Sequence, residues 1–142
     1  MKPTEEQIIE IADNRDFGMR SFFNIQTGEL RALPDFSDPY AEPEMWEEDI
    51  DAIENDIDNY YEFAKMPSHE SFQIMAEFAE TVTNKPLQIK LVNALQRPKP
   101  FKNFKWHIDN AGDEREQWFA FKRSWCVKSI REQIQKNEAD FA

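Results

Sequence analysis

Apolar residues recur along this chain with two different periods. Behind Thr4, residues Ile8, Ile11 and Ala12 fall three to four apart, the spacing of one helix face. Thr4 has the side chain to cap that helix, with Gln7 at the reciprocal position of a capping box. The period then drops to two. Met19, Ser21 and Phe23 share one face of a predicted strand over 19–24, and Arg20, Phe22 and Asn24 share the other. A second strand over 29–33 follows Gln26-Thr27-Gly28, whose glycine suits a turn that needs positive φ, so the pair reads as a β-hairpin. Pro34, Pro39 and Pro43 keep the next stretch irregular. Trp46, Ile50, Ile53 and Ile57 then form one apolar stripe on an otherwise acidic helix. Residues 59–65 alternate again and predict a third strand that extends the hairpin's sheet, since an isolated hairpin is marginal.

From Pro67 onward the pattern is helical. Ser68 is the predicted N-cap of a helix with Glu70 in its first turn, where a carboxylate complements the helix dipole. Phe72, Met75, Ala79 and Val82 form its stripe, widened by Ile74 and Phe78. Asn84 and Pro86 start the next helix, with Leu87, Leu91, Ala94 and Leu95 inward, and Pro98 and Pro100 close it. Phe101, Phe104 and Ile108 mark a short helix. Asp113 is the predicted cap of the last one, where Trp118, Phe121, Trp125, Ile130 and Ile134 run along one face. The predicted architecture is α+β: a small antiparallel sheet, hairpin plus third strand, packed with a C-terminal set of about four helices. One domain spanning 1–142 is expected, with an acidic α/β-hairpin half (1–66) and a helical half (67–142).

Composition narrows this picture. At 142 residues, 40% of them hydrophobic and 13% aromatic, the chain has the material for a packed core. Its single cysteine, Cys126, excludes an internal disulfide and a cysteine-based zinc site. No apolar run is long enough to span a bilayer, and the first residues lack the apolar segment of a signal peptide, so a cytoplasmic location is expected. The net charge of −11 is unevenly placed: residues 1–70 carry 5 Lys and Arg against 19 Asp and Glu, residues 71–142 carry 12 against 9. Such asymmetry marks either a partner-binding surface or a solvated face.

Few residues suggest chemistry. Ser68, His69 and Glu70 place a hydroxyl, an imidazole and a carboxylate side by side, but neighbours at a helix start do not converge, and helix capping accounts for Ser68 and Glu70. His69 and His107 are the only histidines and have no metal-ligand spacing, so no metal and no cofactor is predicted. Cys126 reads as an inert core thiol. Residues 85–105 stand out, with six basic residues (Lys85, Lys90, Arg97, Lys99, Lys102, Lys105) and no acidic one. Phe101, Phe104 and Trp106 interleave with the last three lysines. Aromatics among cations suit single-stranded nucleic acid, although Phe101 and Phe104 also fit a core stripe and the net charge opposes a polyanion. The segment 42–58 is the converse, nine carboxylates with no Lys or Arg and no EF-hand spacing.

With these elements in place the chain resembles Uncharacterised Protein Family 158, a set of small bacterial proteins. The resemblance rests on the hairpin from Gly18 to Leu30 with Thr27-Gly28-Glu29, on Tyr60-Tyr61-Glu62-Phe63, and on Ser68-His69-Glu70-Ser71-Phe72 with Met75 and Phe78. Pro100-Phe101, Phe104-Lys105 and Trp118-Phe119 continue it. It implies no activity, cofactor or catalytic residue. The expected function is a non-enzymatic protein-interaction or regulatory module with a protein partner and no membrane contact. Its predicted binding surface is Arg97, Lys99, Lys102, Lys105 and Trp106. The alternative is nucleic-acid binding through residues 90–106.

Overall fold

The computed structural model describes residues 1–142, which form two compact units, residues 1–66 with 126–142, and residues 67–125. The predicted halves also meet between Met66 and Pro67, but residues 126–142 group with the first unit.

In the first unit, helix α1 (Glu5–Asp16) starts with the predicted capping box: Thr4 Oγ1 accepts from Gln7 N at 3.2 Å, and Gln7 Oε1 accepts from Thr4 N at 3.0 Å. Strands β1 (Arg20–Asn24), β2 (Leu30–Leu33) and β3 (Tyr60–Phe63) form an antiparallel sheet in the order β2-β1-β3. Gly28 closes the β1–β2 turn at φ +76°, and the Met1 thioether occupies the space a Cβ would need. The central strand is buried on both faces, which is why Ser21 and Asn24 are buried along with Phe22 and Phe23. On one face Phe22, Leu33 and Ile53 pack with Phe36, Trp46, Ile50 and Tyr60. Phe23, Tyr61 and Phe63 gather around Phe141, with ring centroids 6.1, 4.6 and 6.2 Å away.

Two polar devices fix the irregular parts. Asn24 donates to Asp56 Oδ2 at 2.9 Å, and its Oδ1 accepts from Gln26 N and Thr27 N, so one buried amide ties the hairpin turn to the segment before β3. Asp35 accepts from Lys65, Ser37 N and Ser37 Oγ, which pins the proline-rich loop to the residues after β3. Helix α2 (Glu47–Glu54) follows a 3-10 turn over Pro43–Trp46. The predicted stripe holds through Ile53. Ile57 departs from it: the helix ends at Glu54, Ile57 opens a separate 3-10 turn, and its side chain is exposed.

In the second unit, α3 (Ser68–Thr81), α4 (Lys85–Leu95), α5 (Pro100–Asp109) and the first half of α6 (Asp113–Lys136) share a core of Ile74, Met75, Phe78, Leu87, Leu91, Phe104, Ile108 and Trp118. Asn84 caps α4 as predicted, its Oδ1 accepting from Leu87 N at 3.3 Å. Ser68 is not a cap. Pro67 holds the extended cap conformation and its carbonyl accepts from Glu70 N and Ser71 N, which makes Ser68 the first helical residue. Asp113 is likewise the first residue of α6 rather than its cap, with Arg115 N bonded to Gly112 O. Phe72 and Phe101, both predicted in the core, are exposed.

The Lys65 ammonium, with the Ser37 bonds, holds the Asp35 carboxyl well below the ordinary aspartate value of 3.8. A carboxylate whose folded pKa is depressed stabilises the fold above its unfolded pKa and loses that contribution as pH falls through the folded value. Asp35→Asn is therefore expected to lower Tm at pH 7, and the gap to the parent chain is expected to close as pH drops below about 3.8. Thermal unfolding of both chains across acid pH measures this; a gap that stays constant would contradict it.

Candidate functional site: the outer face of helix α5

Helix α5 is amphipathic along its length, and the helical period sorts its residues. Phe104 and Ile108, four apart, are buried. Phe104 meets Trp118 edge-on at 5.0 Å between ring centroids, and Phe78 lies 5.3 Å from the same indole. Lys102, Lys105, Trp106 and Asp109 occupy the opposite side at i, i+3, i+4 and i+7, which puts them on one outward face. Trp106 is 66% exposed, whereas Trp118 is 8% exposed.

Trp106 stands between two open clefts. One, of about 500 Å³, is lined by Asn84, Pro86, Leu87 and Lys90 from the start of α4 and by Trp106, His107, Asn110 and Ala111. The other, of about 460 Å³, is lined by Lys102, Asn103, Lys105, Trp106 and Asp109. The indole thus forms a wall shared by both clefts, with a lysine from α4 on one side and two from α5 on the other.

The turn into α5 is unusual. Lys99 has φ 56° and ψ 55°, the left-handed conformation that glycine adopts freely and a lysine adopts at a cost of about 1–2 kcal/mol. Asn103 secures the turn, its N bonding Lys99 O at 3.1 Å and its Nδ2 bonding Pro98 O at 2.9 Å. A charged side chain is therefore held at a position where the backbone favours none.

Electrostatics separate these cations from those of the first unit. There Lys2 pairs with Glu138, Arg20 with Glu62, Lys65 with Asp35 and Arg131 with Glu5. Arg31 pairs with Glu29 at 2.7 Å and Asp49 at 2.8 Å. Burial works against the Arg31 charge, but the bonds to Asp49 and Tyr60 and the nearby Glu29 outweigh it and raise its pKa. Lys90, Arg97, Lys99, Lys102 and Lys105 are all exposed, and none has a carboxylate within ion-pair distance. The second unit as a whole carries nine Lys and Arg against seven Asp and Glu.

Of the residues predicted for the binding surface, Lys102, Lys105 and Trp106 lie together on α5, and Arg97 and Lys99 lie on the turn that leads into it. Ser68 and His69 are exposed on the first turn of α3 and Glu70 is half-buried there. No group of three or more His, Cys, Asp or Glu is placed to hold a metal ion. Cys126 is buried. Asn84, Lys90, His107 and Asn110 complete the first cleft. Of these only Lys90 stood out in the sequence, by its charge; the others become legible only once the start of α4 is set beside α5.

Residues 39–142 match the Uncharacterised protein family (UPF0158). The chain belongs to this family. The matched region runs from just before α2 through all of the second unit and therefore includes both clefts; the β1–β2 hairpin lies ahead of it. No curated protein and no solved structure matches the chain. No helix is long and apolar enough to cross a membrane.

The two sides of α5 should respond oppositely to truncation. Phe104→Ala is expected to cost about 3–5 kcal/mol of stability, because it empties a core position. Trp106→Ala is expected to change stability by about 0.5 kcal/mol or less. Denaturant unfolding of both variants tests this, and a large loss for Trp106→Ala would mean that the indole is structural.

Proposed function

We propose that this member of the family is a non-enzymatic protein-interaction or regulatory module that binds its partner through the outer face of α5. The observation that carries the reading is the placement of Trp106, exposed between two clefts and bordered by cations that no carboxylate neutralises. Tryptophan dominates binding energy at protein interfaces, because one rigid side chain covers a large area and keeps a hydrogen-bond donor. Lysines around such an anchor act at the rim, where they set partner charge and association rate more than affinity. The partner's matching surface is accordingly an apolar group flanked by carboxylates.

The same geometry supports a second reading. A base stacked on Trp106 with phosphates on Lys102 and Lys105 is the arrangement of single-strand binding. Two features weigh against it: Asp109 lines the cleft that holds both lysines, and the whole chain carries a charge of −11.

Affinity capture from a bacterial lysate, run in parallel with the Trp106→Ala and Lys102→Glu/Lys105→Glu chains, separates the two. A protein retained by the parent chain and lost from both variants is the expected result. Equal capture by all three would remove α5 from the binding surface. Salt-sensitive binding of a thymidine oligonucleotide, lost in both variants, would favour the second reading.

A further inference from the structure

The segment that precedes and begins α2 is a chemical counterpart of the α5 face. Of its nine carboxylates, Asp49 pairs with Arg31 and Asp56 is held by Asn24 and Asn59. Glu42, Glu44, Glu47, Glu48, Asp51, Glu54 and Asp58 are exposed and have no cation within ion-pair distance. Among them stands an exposed apolar group. Met45 lies in the 3-10 turn Pro43–Trp46 and is 77% exposed, because its neighbour Trp46 takes the inward position against Phe22, Leu33 and Ile53. Met45 is thus flanked by Glu42 and Glu44 on one side and by Glu47 and Glu48 on the other.

We propose that the occupant of the α5 face is a second copy of this chain, which docks its Glu42–Glu48 segment with Met45 against Trp106. This deepens the interaction reading and rests on it. The two surfaces match in kind and order: an exposed apolar side chain between unpaired carboxylates meets an exposed indole between unpaired lysines. A thioether packs well on an indole and adapts to an open cleft because the methionine side chain is unbranched. Lys90 on one side of Trp106 and Lys102 and Lys105 on the other take the flanking glutamates. Each chain carries both surfaces, so reciprocal docking closes as a two-fold dimer and one-way docking continues as a chain of copies.

The test is sedimentation equilibrium of the full chain over a concentration series at about 150 mM salt, where the Debye length of about 8 Å screens the like net charges. Self-association is expected for the parent chain and is expected to weaken by about ten-fold or more in Met45→Ala and in Trp106→Ala. Glu44→Lys/Glu47→Lys/Glu48→Lys and Lys102→Glu/Lys105→Glu are each expected to be monomeric alone and to associate when mixed one to one. Every substituted residue is exposed, so far-ultraviolet circular dichroism should match the parent chain throughout. A parent chain that stays monomeric, or charge-swapped chains that do not associate on mixing, would overturn the proposal. If the parent chain is monomeric while a lysate protein is still lost with Trp106→Ala, the α5 reading stands and the second copy is ruled out.

Discussion

Everything proposed for this protein depends on how α5 is seated. Phe104 and Ile108 lie one turn apart on the helix and both are buried, Phe104 edge-on against the Trp118 indole. Because the helix repeats every 3.6 residues, burying 104 and 108 leaves 102, 105, 106 and 109 no inward direction. A second contact sets the cleft: the start of α4, capped by Asn84 and rigidified by Pro86, lies alongside the end of α5. The exposure of Trp106 therefore follows from core packing on the far side of its own helix.

Charge gives that surface its chemical character. In the first unit, acidic side chains outnumber basic ones so heavily that most of its cations find a carboxylate close by. Between Lys85 and Lys105 the sequence supplies no carboxylate, and from Lys90 onward the cations stay solvated. Solvated ion pairs contribute little to stability, so this separation of charge matters for association rather than for folding.

Local signals in the sequence translated well into structure. The Thr4–Gln7 box and the Asn84 cap involve side chains that meet backbone within one turn, so no tertiary context is needed to place them. The hairpin with Gly28 was equally local, and the third strand followed from the need of a hairpin for a further partner. The misplacements have tertiary or backbone causes. Ser68 lost the capping position because Pro67 is already extended and its own carbonyl receives the first helix donors. Phe72 and Phe101 fit their stripes by spacing, but each lies near the start of its helix, and spacing does not reveal where the packed neighbours end. Ile57 kept the stripe's period after the helix itself had stopped. The basic-aromatic surface was legible as composition; its clefts were not, since Asn84, His107 and Asn110 join it only through the packing of α4 on α5.

The central claim is that one short helix presents a buried aromatic side and an open one. Hydroxyl-radical footprinting with mass spectrometry reads both sides in a single sample. Trp106 and Phe101 are expected to oxidise many times faster than Trp118 and Phe104. Comparable protection of Trp106 and Trp118 in the monomeric chain would mean that the indole is packed, and the account of α5 as a binding face would fail.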